Sequence, residues 1–176
     1  MRVADSPPRR NKTVTGQMIK VGDQIPSMTL TKATAEGPKP VTTDEIFKGR
    51  KVVLFAVPGA FTPTCSAKHL PGFVQNFDAM KAKGVDEIVC MAVNDGFVMG
   101  AWGREQGVGD NITMLSDGSA ALTKAMGLEL DLVARGMGVR SQRFALVVQD
   151  GKVTHLAVEA AGGFDVSRAE AVLAAL

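Results

Sequence analysis

Lys51-Val52-Val53-Leu54-Phe55-Ala56-Val57-Pro58-Gly59-Ala60-Phe61-Thr62-Pro63-Thr64-Cys65 is the stretch on which the reading of this chain turns. Val52 to Val57 is continuously apolar and rich in β-branched residues, the pattern of a strand buried on both faces, and Pro58-Gly59 stops it. Thr62 then suits an N-cap and Pro63 the first helical position, which puts Cys65 in the opening turn of a helix. There the unpaired backbone N–H groups and the positive end of the macrodipole favour thiolate over thiol. A strand that delivers a lone cysteine into a helix start is a setting in which sulfur becomes a nucleophile.

Outward from that stretch the chain alternates. Gly22, Pro26, Gly37, Pro38 and Pro40 punctuate Ile19 to Lys48, so short strands and turns are expected there, with Thr43-Asp44 capping a short helix through Phe47. After Cys65 the pattern predicts a helix from about Pro63 to Lys83 with a kink at Pro71-Gly72, a strand Glu87 to Val93 and a helix Phe97 to Gln106. A strand Ile112 to Leu115 and a helix Ala120 to Met126 follow. Arg143 to Val148 and Lys152 to Val158 flank Gln149-Asp150-Gly151, where Asp-Gly signals a type I′ hairpin, and a last helix covers about Val166 to Leu176. This order predicts an α/β fold, a mixed central sheet flanked by helices, with its site at the carboxyl end of the first core strand.

Length and composition bound the rest. At 176 residues and 45% apolar content, residues 18–176 are expected to form a single domain. Residues 1–17 read as a disordered or artificially appended extension, with Met18 a plausible natural start. The h-region of a secretory signal is lacking; a basic, serine-containing leader could be a mitochondrial transit peptide, but Pro7-Pro8 would break the amphipathic helix that such peptides need. The formal net charge of +2 comes from that extension, where Arg2, Arg9, Arg10 and Lys12 stand against Asp5. No basic, aromatic-interleaved face appears in the body, so no nucleic acid is expected, and no membrane partner either. Two cysteines without a signal segment fit a reducing cytoplasm, where a cysteine is more often catalytic than stapling.

Pro58-x-x-x-Thr62-x-x-Cys65 resembles the active-site signature of the peroxiredoxins, and its continuation through Ser66-Ala67-Lys68-His69-Leu70-Pro71-Gly72-Phe73 is similar to their type II group. Val93-Asn94-Asp95-Gly96-Phe97-Val98-Met99, Ser116-Asp117-Gly118 and Arg140-Ser141-Gln142-Arg143-Phe144 extend the resemblance, which covers roughly Met18 to the C-terminus. It implies a thioredoxin-like fold with insertions. It also implies a thiol peroxidase that reduces hydrogen peroxide and alkyl hydroperoxides through a cysteine sulfenic acid, is recycled by glutathione, glutaredoxin or thioredoxin, and forms a homodimer. Phe61 and Trp102, apolar and near loop or helix ends, are candidates for that dimer contact.

Such chemistry needs a thiolate, a fixed O–O axis and donors on the departing oxygen. Cys65 supplies the thiolate. Thr62 lies three residues earlier on the same helical face; it reads either as a plain N-cap or as a hydroxyl aimed at the sulfur or the peroxide, and the resemblance favours the second. Pro58 is a strand stopper, a rigid lip over the thiol, or both, and with Phe61 it joins the expected substrate-binding set. Arg140 and Arg143 are the candidate guanidinium donors. Arg143 alone could be a solvated strand-end charge, but the family's essential arginine just before the aromatic of this strand matches it and leaves Arg140 second.

His69 could serve as a base four residues after Cys65, yet an ionised thiolate needs none, so it reads as structural; His155 reads as a strand residue. No metal site is expected from two histidines and two cysteines without ligand spacing. No cofactor is expected either, as there is neither a G-x-G-x-x-G after a strand nor a haem-attachment motif. Cys90 is either a small core residue or a resolving thiol. Some type II relatives carry a second cysteine 25 positions on, as here, while others carry one near the C-terminus, where this chain has Val166-Ser167. Two other functions compete: a disulfide oxidoreductase, disfavoured because Thr62 stands where C-x-x-C needs cysteine, and a peroxide-sensing signalling or chaperone protein without efficient turnover.

Overall fold

The computed structural model describes residues 17–176, so the extension expected over residues 1–17 lies outside the described residues except for Gln17. Nine strands and six short α-helices follow in the order β1 (Thr29–Thr34), β2 (Gly37–Thr42), α1 (Thr43–Phe47), β3 (Lys51–Val57), a π-helical turn (Cys65–His69), α2 (Leu70–Gln75), α3 (Phe77–Ala82), β4 (Glu87–Ala92), α4 (Gly96–Glu105) and β5 (Ile112–Ser116). Then come α5 (Ala121–Ala125), β6 (Glu129–Leu132), a 3-10 turn (Val133–Arg135), β7 (Gly138–Ser141), β8 (Phe144–Gln149), β9 (Lys152–Val158) and α6 (Ala169–Ala174).

Seven strands make one sheet in the order β2-β1-β5-β4-β3-β8-β9. β3, β4 and β5 run parallel, whereas β1, β8 and β9 pair antiparallel with their neighbours. The sheet is therefore mixed, as expected. β3 is buried on both faces because its side chains alternate between two cores. Val53, Phe55 and Val57 join Cys90, Phe73, Trp102 and Val172 on one face, while Val52, Leu54 and Ala56 join Phe47, Met91, Leu122 and Phe144 on the other.

Local chemistry accounts for the boundaries. Asp150 and Gly151 both take positive φ, 49° and 77°, the pair a type I′ turn requires, so the β8–β9 hairpin is as expected. The cap of α1 is Thr42 rather than Thr43: its hydroxyl accepts the Glu45 N–H at 3.1 Å while the Glu45 carboxylate accepts the Thr42 N–H at 3.4 Å, a reciprocal capping box. The final helix starts later than Val166, at Ala169, because the residues before it form a loop tied to Glu159.

The long helix after Cys65 departs from expectation. It does not run smoothly to a kink at Pro71-Gly72; the Leu70 N–H reaches back to the Cys65 carbonyl, which opens one wide turn just before the proline. Pro71 has no N–H to give, and its ring would crowd the carbonyl four residues back in a regular helix; widening that turn relieves the conflict. The break falls at Asn76, whose backbone leaves helical geometry and whose side chain donates to Gly72 O at 2.8 Å. The β6–β7 hairpin, a separate two-stranded sheet, has no counterpart in the sequence reading.

α4 packs on the β1–β2 hairpin through a glycine. A Cβ at Gly96 would lie 2.7 Å from Pro38 Cβ and 2.9 Å from Thr31 Cγ2, neither of which can swing aside as a flexible chain end would. Gly96→Ala is therefore expected to destabilise the fold by about 1–3 kcal/mol, read as a lowered urea midpoint; an unchanged midpoint would show that the hairpin yields freely.

Candidate active site

Antiparallel pairing of β8 with β3 sets Ala56 opposite Phe144, so the residue before β8, Arg143, arrives where β3 ends and the Pro58–Cys65 segment begins. The ends of β4 and β9 lie at the same mouth: β4 is parallel to β3, and Val158 pairs with Phe144. Four segments distant in sequence thus meet around one sulfur.

Cys65 is fully buried. Arg143 Nη2 donates to its Sγ at 3.1 Å, and Nη1 of the same guanidinium donates to His69 Nδ1 at 2.9 Å. The two cysteines are both free and buried. Cys90 sits in the middle of β4 opposite Phe55, within the same core as Cys65. Burial pushes the Cys90 thiol well up, Cys65 adds to the rise and Arg143 opposes it; Cys90 therefore holds its proton at neutral pH.

Thr62 has the backbone position of an N-cap, its carbonyl accepting the Ser66 N–H at 3.0 Å, but its side chain does not cap. The hydroxyl turns back and donates to Gly59 O at 2.7 Å. With its hydrogen committed, the oxygen keeps lone pairs to accept from an O–H brought to the site. Pro58 is half-buried, and its carbonyl is 3.5 Å from Arg140 Nη1. Arg140 also donates from Nε to Met137 O at 2.8 Å, and a Cβ at Gly59 would lie 3.0 Å from its Nη1. Arg140 thus braces the loop, while Arg143 alone of the two touches sulfur. Phe61 takes a positive φ of 63° and is half exposed. Trp102, set beside it as a dimer candidate, is instead fully buried and donates from Nε1 to Ser66 Oγ at 3.0 Å. It belongs to the packing of α4 against the cysteine helix and offers no surface. His155 lies in β9 opposite Val147.

Three further residues build the site. Asn94 Oδ1 accepts the Ala60 N–H at 2.9 Å, pinning the loop between Pro58 and Thr62, and Asp95 caps α4 by accepting the Val98 N–H. Glu159 accepts the N–H groups of Asp165 and Val166 at 2.7 and 2.6 Å and so shapes the loop leading to Ser167. His69 is fully buried, its Nε2 lying 2.9 Å from Ser167 O, among the rings of Phe55, Phe73 and Phe164. The Asn94-Asp95-Gly96 string was visible in the sequence as part of the resemblance. Glu159 carried no local signal, since its partners lie in a loop whose path depends on the packing of α6.

Comparison with known proteins places this arrangement. The Redoxin family model matches residues 20–173. Peroxiredoxin-2B of Arabidopsis thaliana is 48% identical over 159 residues, covering 90% of this chain and 98% of that protein; the chloroplastic Peroxiredoxin-2E-2 of Oryza sativa subsp. japonica is 53% identical over 163 residues, covering 90% of this chain and 72% of the relative. The chain belongs to the peroxiredoxin family. A crystal structure of reduced Prx3 from Vibrio vulnificus in complex with H2O2 is 53% identical with a TM-score of 0.86, covering 90% of this chain and 99% of that one. The mixed sheet is accordingly the thioredoxin-like sheet of peroxiredoxins, and the chain is a thiol-dependent peroxidase. Peroxiredoxins act on peroxides and draw on thioredoxin-type thiol reductants.

Burial lowers the His69 pKa from 6.5 to about 3; the hydrogen bond to Ser167 opposes the shift and the charge of Arg143 adds to it. Between those values the unfolded chain carries a proton on this ring that the folded chain does not. The contribution to stability is complete above about pH 6.5 and declines as pH falls, by up to about 1.4 kcal/mol per pH unit, levelling off near pH 3. Urea unfolding between pH 7.5 and 4.5 is expected to show a steeper acid loss for wild type than for His69→Leu. Parallel curves would mean that His69 is not held neutral.

Proposed function

We propose that this peroxiredoxin reduces hydrogen peroxide and small alkyl hydroperoxides with Cys65 as nucleophile. The Cys65 thiolate attacks the hydroxyl oxygen of the peroxide and the O–O bond breaks. The cysteine becomes a sulfenic acid, and the other oxygen leaves as hydroxide or alkoxide and takes a proton from solvent. Arg143 carries the reading: a permanently charged donor 3.1 Å from the sulfur suits both the attacking thiolate and the charge that develops on oxygen. Thr62, its hydrogen spent on Gly59, accepts the peroxide O–H and aligns it, while Pro58 and Phe61 line the approach. The relative crystallised with H2O2 supports the choice of peroxide.

An external thiol closes the cycle. Glutathione, glutaredoxin or thioredoxin supplies a thiol that condenses with the sulfenic acid, releasing water, and a second thiol then frees Cys65 and yields a disulfide. Cys90 takes no part as a resolving thiol, because it is a protonated core residue of a central strand. Two unpaired cysteines fit a reducing compartment such as the cytoplasm. The half-exposed Phe61 supports a homodimer whose contact borders the active-site loop.

Steady-state peroxide consumption with each reductant tests the enzyme against a sensor or chaperone, which would oxidise once and stop. Cys65→Ser is expected to be inactive and Arg143→Ala to react ~10²–10³-fold more slowly with peroxide, with Arg140→Ala milder. Equal second-order rates for wild type and Arg143→Ala would remove that arginine from the mechanism. Cys90→Ser is expected to keep most turnover; a dead Cys90→Ser enzyme with a Cys65–Cys90 disulfide in peroxide-treated wild type would make Cys90 the resolving residue. Sedimentation of the reduced protein at micromolar concentration is expected to give twice the chain mass, and a monomer would end the dimer proposal.

A further inference from the structure

We infer that His69 is a positioning residue for Arg143, and that it serves because it is a hydrogen-bond acceptor without charge. The inference rests on the peroxidase reading above. An arginine can only donate and a peptide carbonyl can only accept. The contact of Arg143 Nη1 with Nδ1 therefore places a lone pair on Nδ1, and the contact of Nε2 with Ser167 O places the proton on Nε2. Both neighbours demand the same neutral tautomer, and a second proton on the ring would remove the acceptor that Arg143 uses.

The clamp has a floor and a back wall. Ser167 ends the loop whose Asp165 and Val166 N–H groups are gathered by the nearly buried Glu159, and the Glu159 N–H in turn donates to Arg143 O at 3.0 Å. Phe164, from the same loop, meets the His69 ring edge-on at 5.1 Å and lies 6.0 Å from the Arg143 guanidinium carbon. The guanidinium is thus held at two points, Nη1 on imidazole and Nη2 on sulfur. Lost to one side, it would pivot about the other and spoil the aim of its donors.

Charge explains the choice of a histidine. The titratable and charged groups around the ring are Cys65 on its own helix, Arg143 before β8, and Glu159 after β9, whose carboxylate is already occupied by backbone N–H groups. Arg143 makes no ion pair among the described residues. A carboxylate in place of His69 would fix the guanidinium equally well but would cancel its charge where the sulfur and the departing oxygen need it. A neutral acceptor orients the donor and leaves its field intact.

Two measurements on reduced protein test this. Nitrogen-15 NMR of the imidazole is expected to show the Nε2–H tautomer with no titration between pH 8 and 5; an Nδ1–H tautomer, or protonation near pH 6.5, would overturn the inference whether or not any variant folds. Stopped-flow reaction with hydrogen peroxide is expected to slow by up to about 100-fold in His69→Leu, the cost of a misplaced donor, and to recover in part in His69→Asn, whose Oδ1 can stand where Nδ1 stood. Equal rates for wild type and His69→Leu, or equal losses in the Leu and Asn variants, would reduce His69 to packing. If wild type itself fails to consume peroxide, it is the peroxidase reading that falls, and the tautomer result still decides the hydrogen-bond arrangement.

Discussion

The hydrogen bond from Arg143 to the Cys65 sulfur spans 78 positions of sequence, and most of the sheet topology is needed to make it. β8 must run antiparallel to β3 and in the register that sets Ala56 opposite Phe144. A slip of one residue would turn Phe144 and Leu146 out of their core and move the guanidinium away from the mouth. Two apolar cores, one on each face of β3, enforce that register. The chemistry of one side chain is in this sense held by packing at both faces of a central strand.

Around that bond the site is assembled by backbone atoms and neutral side chains. Asn94 takes the Ala60 N–H, Thr62 gives its hydroxyl hydrogen to Gly59, and His69 stands between Arg143 and a peptide carbonyl. Glu159 is nearly buried, but its carboxylate is filled by peptide N–H groups. The consequence is a guanidinium whose charge is met by sulfur and by nothing anionic among the described contacts. Arg143 is half-buried, and withdrawing such a charge from water without a carboxylate beside it is costly. It is retained here because three elements over-determine its position.

The inserted β6–β7 hairpin shows how a small sheet of its own can matter to the site. Its strands are four residues each and mostly half-exposed; Glu129-Leu130-Asp131-Leu132 alternates polar and apolar residues, but over too short a run to announce a strand, and Gly138-Val139-Arg140-Ser141 does not alternate at all. Paired, they carry Met137 and Arg140 against Pro58 and Gly59, where they brace the loop that precedes the cysteine. Trp102 teaches the converse. Near a helix end it looked like surface, yet packing of α4 buries it and gives its N–H to Ser66.

By itself the sequence determined the elements whose signals are local: the doubly buried strand Lys51–Val57, the Asp150-Gly151 turn, the helix opening that presents Cys65, and the motifs that mark a peroxiredoxin. Periodicity, turn residues and caps act within a few positions, which is why they can be read without a fold. Only the tertiary structure decided that the Thr62 hydroxyl faces Gly59 rather than the helix, that Pro71 widens the turn before it instead of kinking the chain, and that His69 is a neutral acceptor for Arg143. Those outcomes depend on which groups the sheet register and the loop after β9 bring within hydrogen-bond distance, and hydrogen bonds decide direction only once both partners are in place.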